Sequence, residues 1–210
     1  MMKIDAIAAR PDRAGRHTVK FSDGTVLRLY PQTVEDFALY SGMELTTQLH
    51  QALCAAAGKM SAKMRAVRIV AAANVSKADL QQRLVQKGES ATDAKQAVEW
   101  MDSLQLVDDE KTAAMLVQRC IAKGYGKARA KQLLYDKKIP KEFWEGVLEN
   151  YPDQTEKMVA FLQNRLGDNP EPADVKRAVD ALLRRGHSYG KIRVAFSHLL
   201  EDSDFLREDY

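Results

Sequence analysis

Catalysis would require nucleophiles, acid–base pairs or metal ligands at suitable spacing, and the sequence offers no such arrangement. The four histidines occur neither in an H-E-x-x-H motif nor with cysteines at zinc-ligand spacing: His17, His50, His187 and His198. Cys54 and Cys120 lie in apolar runs, which is typical of small core residues rather than nucleophiles. We therefore expect a protein that is not an enzyme and that carries no metal or cofactor.

Two short segments imitate ligand sites but are better explained by helix ends. Lys123–Lys127 contains lysines and glycines, yet it lacks the G-x-x-x-x-G-K-[ST] spacing of a phosphate loop and follows a predicted helix rather than a strand. Asp108–Glu110 has the composition of a metal cluster, but acidic residues are also favoured at the positive end of a helix dipole. We interpret the first segment as a turn between helices and the second as the start of a helix.

The charged side chains are unevenly distributed along the 210 residues, which carry 32 basic and 29 acidic groups. Three blocks are strongly basic, with net charges of +6, +8 and +5: residues 59–88, 111–141 and 175–200. Acidic blocks separate and follow them: residues 89–110, 142–174 and 201–210. A single basic block could be a solvated helix face. Three blocks in step with a repeat favour an extended basic surface for a polyanion or an acidic partner.

An internal repeat accompanies the basic blocks. A predicted helix beginning at Ser76 aligns with others beginning at Gly126 and Asp174, at offsets of 50 and 48 residues. In this alignment one apolar core position is a leucine in every copy: Leu84, Leu134 and Leu182. Each copy is preceded by another helical pattern: Ala62–Ala73, Asp109–Ala122 and Gln154–Leu166. The repeat predicts three tandem three-helix units over residues 59–106, 107–152 and 153–202.

The predicted fold class is therefore mainly α, with the three-helix repeats in an elongated curved array. Ser76 and Ser90 predict helix N-caps, and Gly88 and Gly186 predict helix stops. The connection Gly167–Pro172 is the expected internal hinge. The last domain extends to residue 210 and ends in an acidic tail.

Residues 1–58 predict a small element of a different kind. Thr18–Phe21 and Thr25–Leu29 have the composition of strands and flank Asp23-Gly24, a hairpin turn signal. Lys3–Ala9 predicts a third strand. Two helical patterns follow: Val34–Tyr40 and Leu45–Ala57. We expect a strand hairpin with helices that caps the exposed end of the first repeat.

Several segments of the helical part are similar to those of a known family. Their order and spacing over about residues 60–200 resemble the RecX family of regulatory proteins: Ser76–Gly88, Leu104–Ala113, Arg119, Lys123–Arg129 and Leu133. The sequence departs from the family pattern at Ala130, where a bulkier apolar residue is more usual, and at the long Gly167–Pro172 connection. The N-terminal strand element resembles an extension found in only some members.

The resemblance implies a bacterial modulator of the recombinase RecA, acting in recombination regulation, DNA repair and the SOS response. Such proteins bind the RecA filament on single-stranded DNA and inhibit its recombinase, ATPase and coprotease activities, and some also bind DNA directly. Exposed cations of the basic blocks would then contact the partner or DNA by electrostatic docking: Arg65, Arg68, Arg83, Lys87, Arg119, Lys123, Lys127, Arg129, Lys131, Arg185, Lys191 and Arg193.

Two other interpretations stay open on the sequence alone. A stand-alone DNA-binding helical-repeat module would act through the basic blocks, and a repeat scaffold would bind a basic partner through its acidic segments. Tyr125 and Tyr189 lie in turns among cations and could stack on bases or pack between helices. The sequence has neither an 18-residue apolar run nor a signal-peptide pattern, so we expect a cytoplasmic monomer without membrane contact.

Overall fold

The computed structural model describes residues 2–167 and 170–202, and it divides into two compact units after Asp108. The chain is mainly helical with a small N-terminal antiparallel sheet, which confirms the predicted mainly α class and the N-terminal strand element. Residues 168–169 of the predicted hinge, and residues 203–210 of the predicted acidic tail, lie outside the described residues.

Unit 1 begins with an antiparallel sheet in the strand order β3-β2-β1-β4: β1 (Met2–Ile7), β2 (His17–Phe21), β3 (Val26–Leu29) and β4 (Glu44–Leu45). Asp23 and Gly24 form the predicted turn between β2 and β3. Gly24 has a left-handed φ of +84°, and the Asp23 carboxylate accepts a hydrogen bond of 2.9 Å from the Thr25 amide. Ile4 and Phe21 point into the apolar core of this element.

Four helices complete unit 1: α1 (Pro31–Asp36), α2 (Thr47–Ala72), α3 (Lys77–Gln86) and α4 (Ala91–Ser103). The sequence separates helical patterns before and after residue 58, whereas α2 runs through that position without a break. The predicted boundary between residues 58 and 59 therefore falls inside a helix. Leu53 of α2 packs in the core of the sheet element, while Ala62 and Ala66 pack with α3 and α4. Helix α2 thus contributes both to the core of the sheet element and to the core that it forms with α3 and α4.

Unit 2 contains the remaining helices: α5 (Asp109–Ala122), α6 (Lys127–Asp136), α7 (Trp144–Leu148), α8 (Thr155–Leu166), α9 (Pro172–Arg184) and α10 (Tyr189–Asp202). A short 3-10 turn, Lys141–Phe143, precedes α7. Helix α7 ends at Leu148, and Tyr151 lies beyond it, where the following Pro152 disfavours the α conformation. The Tyr151 ring still packs against the local core.

Helix ends follow the sequence signals closely. The side chains of Ser76 and Ser90 accept hydrogen bonds of 3.0 Å from backbone amides of α3 and α4, which confirms both N-caps. Gly88 and Gly186 follow α3 and α9 with φ of +93° and +84°, the left-handed conformation expected of helix stops. Lys138 holds this position after α6, with φ of +55°.

Each three-helix set has its own apolar core. The aligned leucines of the repeat are buried in three separate clusters: Leu84, Leu134 and Leu182. Short helices depend on such packing, since they are marginal alone in water. Among the described residues, no helix has the length and apolar character needed to cross a membrane.

Candidate functional site

The basic residues of unit 1 line a shallow groove of about 440 Å³, which we call the N-terminal groove. Its cations come from three elements, the β1–β2 loop, α2 and α3 with its C-cap: Arg16, Arg65, Arg68, Arg83 and Lys87. Small or aliphatic residues form the rest of the lining: Ala14, Ile69, Ala72 and Ala73. The groove therefore combines a cationic rim with a narrow apolar surface.

Carboxylates hold three of these five cations. The Nε and Nη2 atoms of Arg83 donate to both carboxylate oxygens of buried Asp79, at 3.0 and 2.9 Å. The Arg65 Nε lies 2.6 Å from Oε1 of buried Glu89, a close ion pair that is not aligned as a hydrogen bond. Arg65 also donates to the Lys87 carbonyl at 3.0 Å. Two-point contacts of this kind fix the direction of a guanidinium group.

The third pair belongs to the β1–β2 loop. Arg16 donates through Nε and Nη2 to Oδ2 of Asp12, at 3.0 and 2.8 Å. The side-chain and backbone hydrogen bonds from Arg16 hold the pKa of Asp12 at about 2. Within the described residues, Arg68 and Lys87 are exposed and their side chains form no ion pair or hydrogen bond. The excess positive charge of the groove is therefore two.

A second groove of about 440 Å³ lies in unit 2, between α6 and α9, and we call it the C-terminal groove. Five residues line it: Tyr125, Arg129, Ala181, Arg184 and Arg185. Within the part of the chain that the structure describes, none of its three arginines has an acidic partner. Its excess positive charge is therefore three.

Two glycines bring α6 and α9 close enough to form this groove. The Gly126 amide donates to the Arg185 carbonyl at 2.8 Å, so the turn before α6 contacts the end of α9 through the backbone. A Cβ on Gly126 would overlap the Gly186 carbonyl, and a Cβ on Gly186 would overlap the Arg129 backbone. The segment predicted as a turn between helices is therefore a packing contact between repeats of unit 2.

A buried histidine and an aromatic ring support the same contact. The Nε2 atom of His187 lies 2.9 Å from the Gly124 carbonyl, which it reaches as a donor. Burial lowers the pKa of His187, and the neighbouring Arg185 acts in the same direction. The Arg185 guanidinium lies over the Phe161 ring, 4.0 Å from its centre, in a cation–π contact.

The structure groups some of the predicted cations and leaves others apart. Four lie in the N-terminal groove, and Arg129 and Arg185 lie in the C-terminal groove. Lys127 and Lys191 line a separate cavity of about 380 Å³ in unit 2, where Lys191 pairs with Asp153 at 2.9 Å. The remaining four are exposed outside these cavities: Arg119, Lys123, Lys131 and Arg193.

Two groove arginines are absent from the set of cations predicted from the sequence. Arg16 lies in the charge-balanced segment 1–58, and only tertiary packing of the β1–β2 loop brings it to α2 and α3. Arg184 precedes Arg185 at the end of α9, and this pair of adjacent arginines was a usable signal. The two tyrosines also differ. Tyr125 packs against the core of its repeat, whereas Tyr189 is exposed.

The cysteines have the environment of structural residues. Burial raises the pKa of both thiols, Cys54 and Cys120, so each is held further from the reactive thiolate. Among the described residues, no three potential ligands of the His, Cys, Asp or Glu type cluster as a metal site would require.

No model of a known protein family matches the chain. The regulatory protein RecX of Vibrio parahaemolyticus is 24% identical to it over 148 residues, covering 69% of this chain and 94% of the relative. A crystal structure of regulatory protein RecX superposes with a TM-score of 0.61 at 19% identity, covering 96% of this chain and all of the other. The chain is therefore similar to RecX regulatory proteins in sequence and in fold. A second RecX structure, from Lactobacillus salivarius, covers 69% of this chain and 97% of its own, with a TM-score of 0.56 and 21% identity.

The RecX match confirms the resemblance carried by the repeat and by the segments between Ser76 and Leu133. The curated RecX relative is covered almost to its full length, so the similarity extends over a whole RecX protein and not one shared helix pair. In this chain the two grooves together hold six of the twelve predicted cations.

Proposed function

We propose that this protein regulates the RecA recombinase by binding its filament on single-stranded DNA and inhibiting its recombinase, ATPase and coprotease activities. The observation that carries the proposal is the RecX similarity, which spans nearly the whole length of the curated relative. RecX is named there as a regulatory protein, and its resemblance implies RecA as the partner. The protein would act in the cytoplasm without catalysis of its own.

The two grooves supply physical contacts suited to such a partner. A nucleoprotein filament presents phosphates together with acidic protein surface, and both are attracted to clustered arginines. A bound protein that occupies the surface where the next recombinase subunit adds would stop filament growth. Because ATP hydrolysis depends on filament assembled on DNA, the loss of filament would lower the ATPase rate as well.

A titration of recombinase ATPase activity on single-stranded DNA tests the proposal. Adding the protein at substoichiometric amounts should lower the steady-state rate progressively, and preformed filament should lose activity over time. An unchanged rate at every ratio would reject the regulatory function, and a raised rate would reject inhibition.

A matched pair of charge-reversal variants tests whether the C-terminal groove contributes to inhibition. Arg129→Glu with Arg184→Glu should weaken inhibition more than Arg119→Glu with Lys131→Glu, since the second pair lies outside the grooves.

A second candidate function is a stand-alone DNA-binding module, and the C-terminal groove favours it. Three arginines without described acidic partners lie beside Tyr125, and aromatic rings among cations are typical of single-strand binding surfaces. Fluorescence anisotropy with a labelled dT oligonucleotide, without recombinase, tests this function. The logarithm of the affinity should fall with that of the salt concentration by about 0.7 per neutralised phosphate. A flat salt dependence would exclude it.

A further inference from the structure

We propose that the N-terminal groove docks an acidic, amphipathic protein segment and that single-stranded DNA is not its ligand. The proposal names the chemistry of the partner by charge and shape. It rests on the proposed function only where that segment is taken to belong to the recombinase filament. The groove is a feature of unit 1 alone, and its Arg16 comes from the N-terminal strand element, to which the sequence assigned only a capping role.

The lining of the groove offers no surface for a nucleic-acid base. Its uncharged residues are Ala14, Ile69, Ala72 and Ala73, none of which has an aromatic ring. Proteins that hold single strands stack successive bases on aromatic side chains, in addition to neutralising phosphates. Small and aliphatic side chains instead accept the methyl and methylene groups of another protein segment, as in helix-in-groove recognition.

The charge of the groove also matches a few carboxylates better than a phosphate backbone. Asp79, Glu89 and Asp12 already neutralise three of the five cations, which leaves Arg68 and Lys87 uncompensated. Affinity for DNA rises with the number of phosphates neutralised, so a surplus of two charges yields little of it. Two or three carboxylates on one face of a segment would be complementary to that surplus.

The direction of the arginines adds specificity for carboxylates. Arg83 uses Nε and one Nη2 hydrogen for Asp79, so its Nη1 group remains available to an incoming acceptor. Because acidic partners fix the guanidinium groups of Arg16, Arg65 and Arg83 before binding, these three side chains lose little entropy when the segment docks. The acidic segment would therefore be bound by preorganised hydrogen-bond donors around a narrow apolar surface.

The β1–β2 loop is built to hold Arg16 in place. Asp12 Oδ1 accepts hydrogen bonds from the amides of Ala14 and Arg16 at 2.8 and 3.0 Å, and Oδ2 binds the Arg16 guanidinium. Gly15 adopts a φ of +78°, which closes the loop tightly. The N-terminal element thus completes the binding surface of α2 and α3, which is a role beyond covering the end of a repeat.

Two probes and two charge-reversal variants test the assignment on the full chain. The first probe is a fluorescein-labelled synthetic helical peptide with glutamates on one face and alanines and leucines on the other, and the second is a dT oligonucleotide. The N-terminal groove variant carries Arg68→Glu and Lys87→Glu, the two cations without ion pairs. The C-terminal groove variant carries Arg129→Glu and Arg184→Glu. Circular dichroism melts of each variant check that the fold is retained.

The N-terminal groove variant should bind the acidic peptide about tenfold more weakly while its oligonucleotide affinity stays within about twofold of wild type. The C-terminal groove variant should show the opposite pattern. Arg16→Ala should weaken peptide binding several-fold without affecting the oligonucleotide. The assignment is overturned if wild type does not bind the peptide, if both groove variants lose it equally, or if the N-terminal groove variant loses the oligonucleotide instead. Peptide binding that follows the expected pattern, with recombinase ATPase unaffected by wild type, would reject the regulatory function and leave the groove assignment standing.

Discussion

The two grooves have similar volumes and both are rich in arginine, but they differ in how those arginines are held. In the N-terminal groove, buried Asp79 and Glu89 and the loop residue Asp12 hold three of the cations. In the C-terminal groove, within the described residues, the arginines have no acidic partner; Arg129 packs against Gly186, and Arg185 lies over the Phe161 ring. Acidic partners fix geometry at the expense of net charge, whereas backbone and ring contacts leave the charge in full.

The largest expected effect comes from the glycines that end equivalent helices of the repeat. Gly186→Ala would place a Cβ against the Arg129 backbone and strain a left-handed residue. We therefore expect the free energy of unfolding of unit 2 to fall by about 3–5 kcal/mol. Gly88→Ala meets nothing within 4 Å, so only backbone strain of about 1–2 kcal/mol applies in unit 1. Denaturant unfolding of each variant measures both losses.

The two tryptophans allow the units to be followed separately, because Trp100 lies in unit 1 and Trp144 in unit 2. Fluorescence of a Trp144→Phe background reports unit 1, and that of a Trp100→Phe background reports unit 2. Gly146→Ala is a matched control in unit 2, since it lies in α7 with open space around it. Equal losses for Gly186→Ala and Gly88→Ala would contradict the backbone contact between the repeats.

The second prediction removes one of the carboxylates on which the N-terminal groove depends. Glu89→Gln keeps the size of the side chain and an acceptor for Ser61, but it leaves the Arg65 charge without its partner. We expect the free energy of unfolding of unit 1 to fall by about 1–3 kcal/mol. Glu99→Gln is the control, because its pair with Lys95 is 3.8 Å long and exposed and should contribute less than about 0.5 kcal/mol. If the two variants lose the same amount, Arg65 is not held by charge.

Most of the fold can be predicted from residue types and their spacing along the sequence. The caps at Ser76 and Ser90, the stop at Gly88 and the hairpin turn at Gly24 need only residue type and spacing. The continuity of α2 is harder to predict, because glycine has a low helix propensity and yet Gly58 lies inside a helix that packs on α3 and α4. Tertiary contacts there override a weak local preference.

The grooves are predicted only in part, for a physical reason. Charge blocks identify cations on one helix, and this was sufficient to select Arg65, Arg83 and Arg129. The blocks carry no information on which cations a carboxylate neutralises, or on a loop arriving from elsewhere in the chain, as Arg16 does. The distinction between the two grooves depends on both of these long-range features.

The third prediction concerns the pH dependence of the stability of unit 2. Burial lowers the pKa of His187 in the folded protein, so the unfolded chain takes up the proton first as the solution becomes acidic. The stabilisation from neutral His187 is therefore complete above its ordinary pKa of 6.5 and declines as pH falls below that value. Unit 2 should lose stability between neutral pH and about pH 5, the interval in which the unfolded chain takes up this proton. Melting curves at a series of pH values measure this.

A histidine replacement provides the control for that pH series. His187→Gln retains an amide donor for the Gly124 carbonyl but cannot titrate. It should lower the stability of unit 2 at neutral pH and flatten its dependence on pH below 6.5. An unchanged slope in this variant would show that another group controls the acid response of unit 2.

The smallest expected effect distinguishes charge from stacking in the C-terminal groove. Arg185→Lys keeps the positive charge but loses the planar contact over Phe161, which should cost about 0.5–1 kcal/mol. A double-mutant cycle with Phe161→Leu isolates this contact, because the coupling vanishes if the ring and the guanidinium do not interact.

The dependence of these losses on salt concentration also distinguishes the two grooves. The loss of stability caused by Arg83→Lys at the Asp79 pair should shrink at high ionic strength, because the Arg83 side chain is partly exposed and salt screens its charge. The Arg185–Phe161 coupling should change less, since stacking on the ring contributes to it.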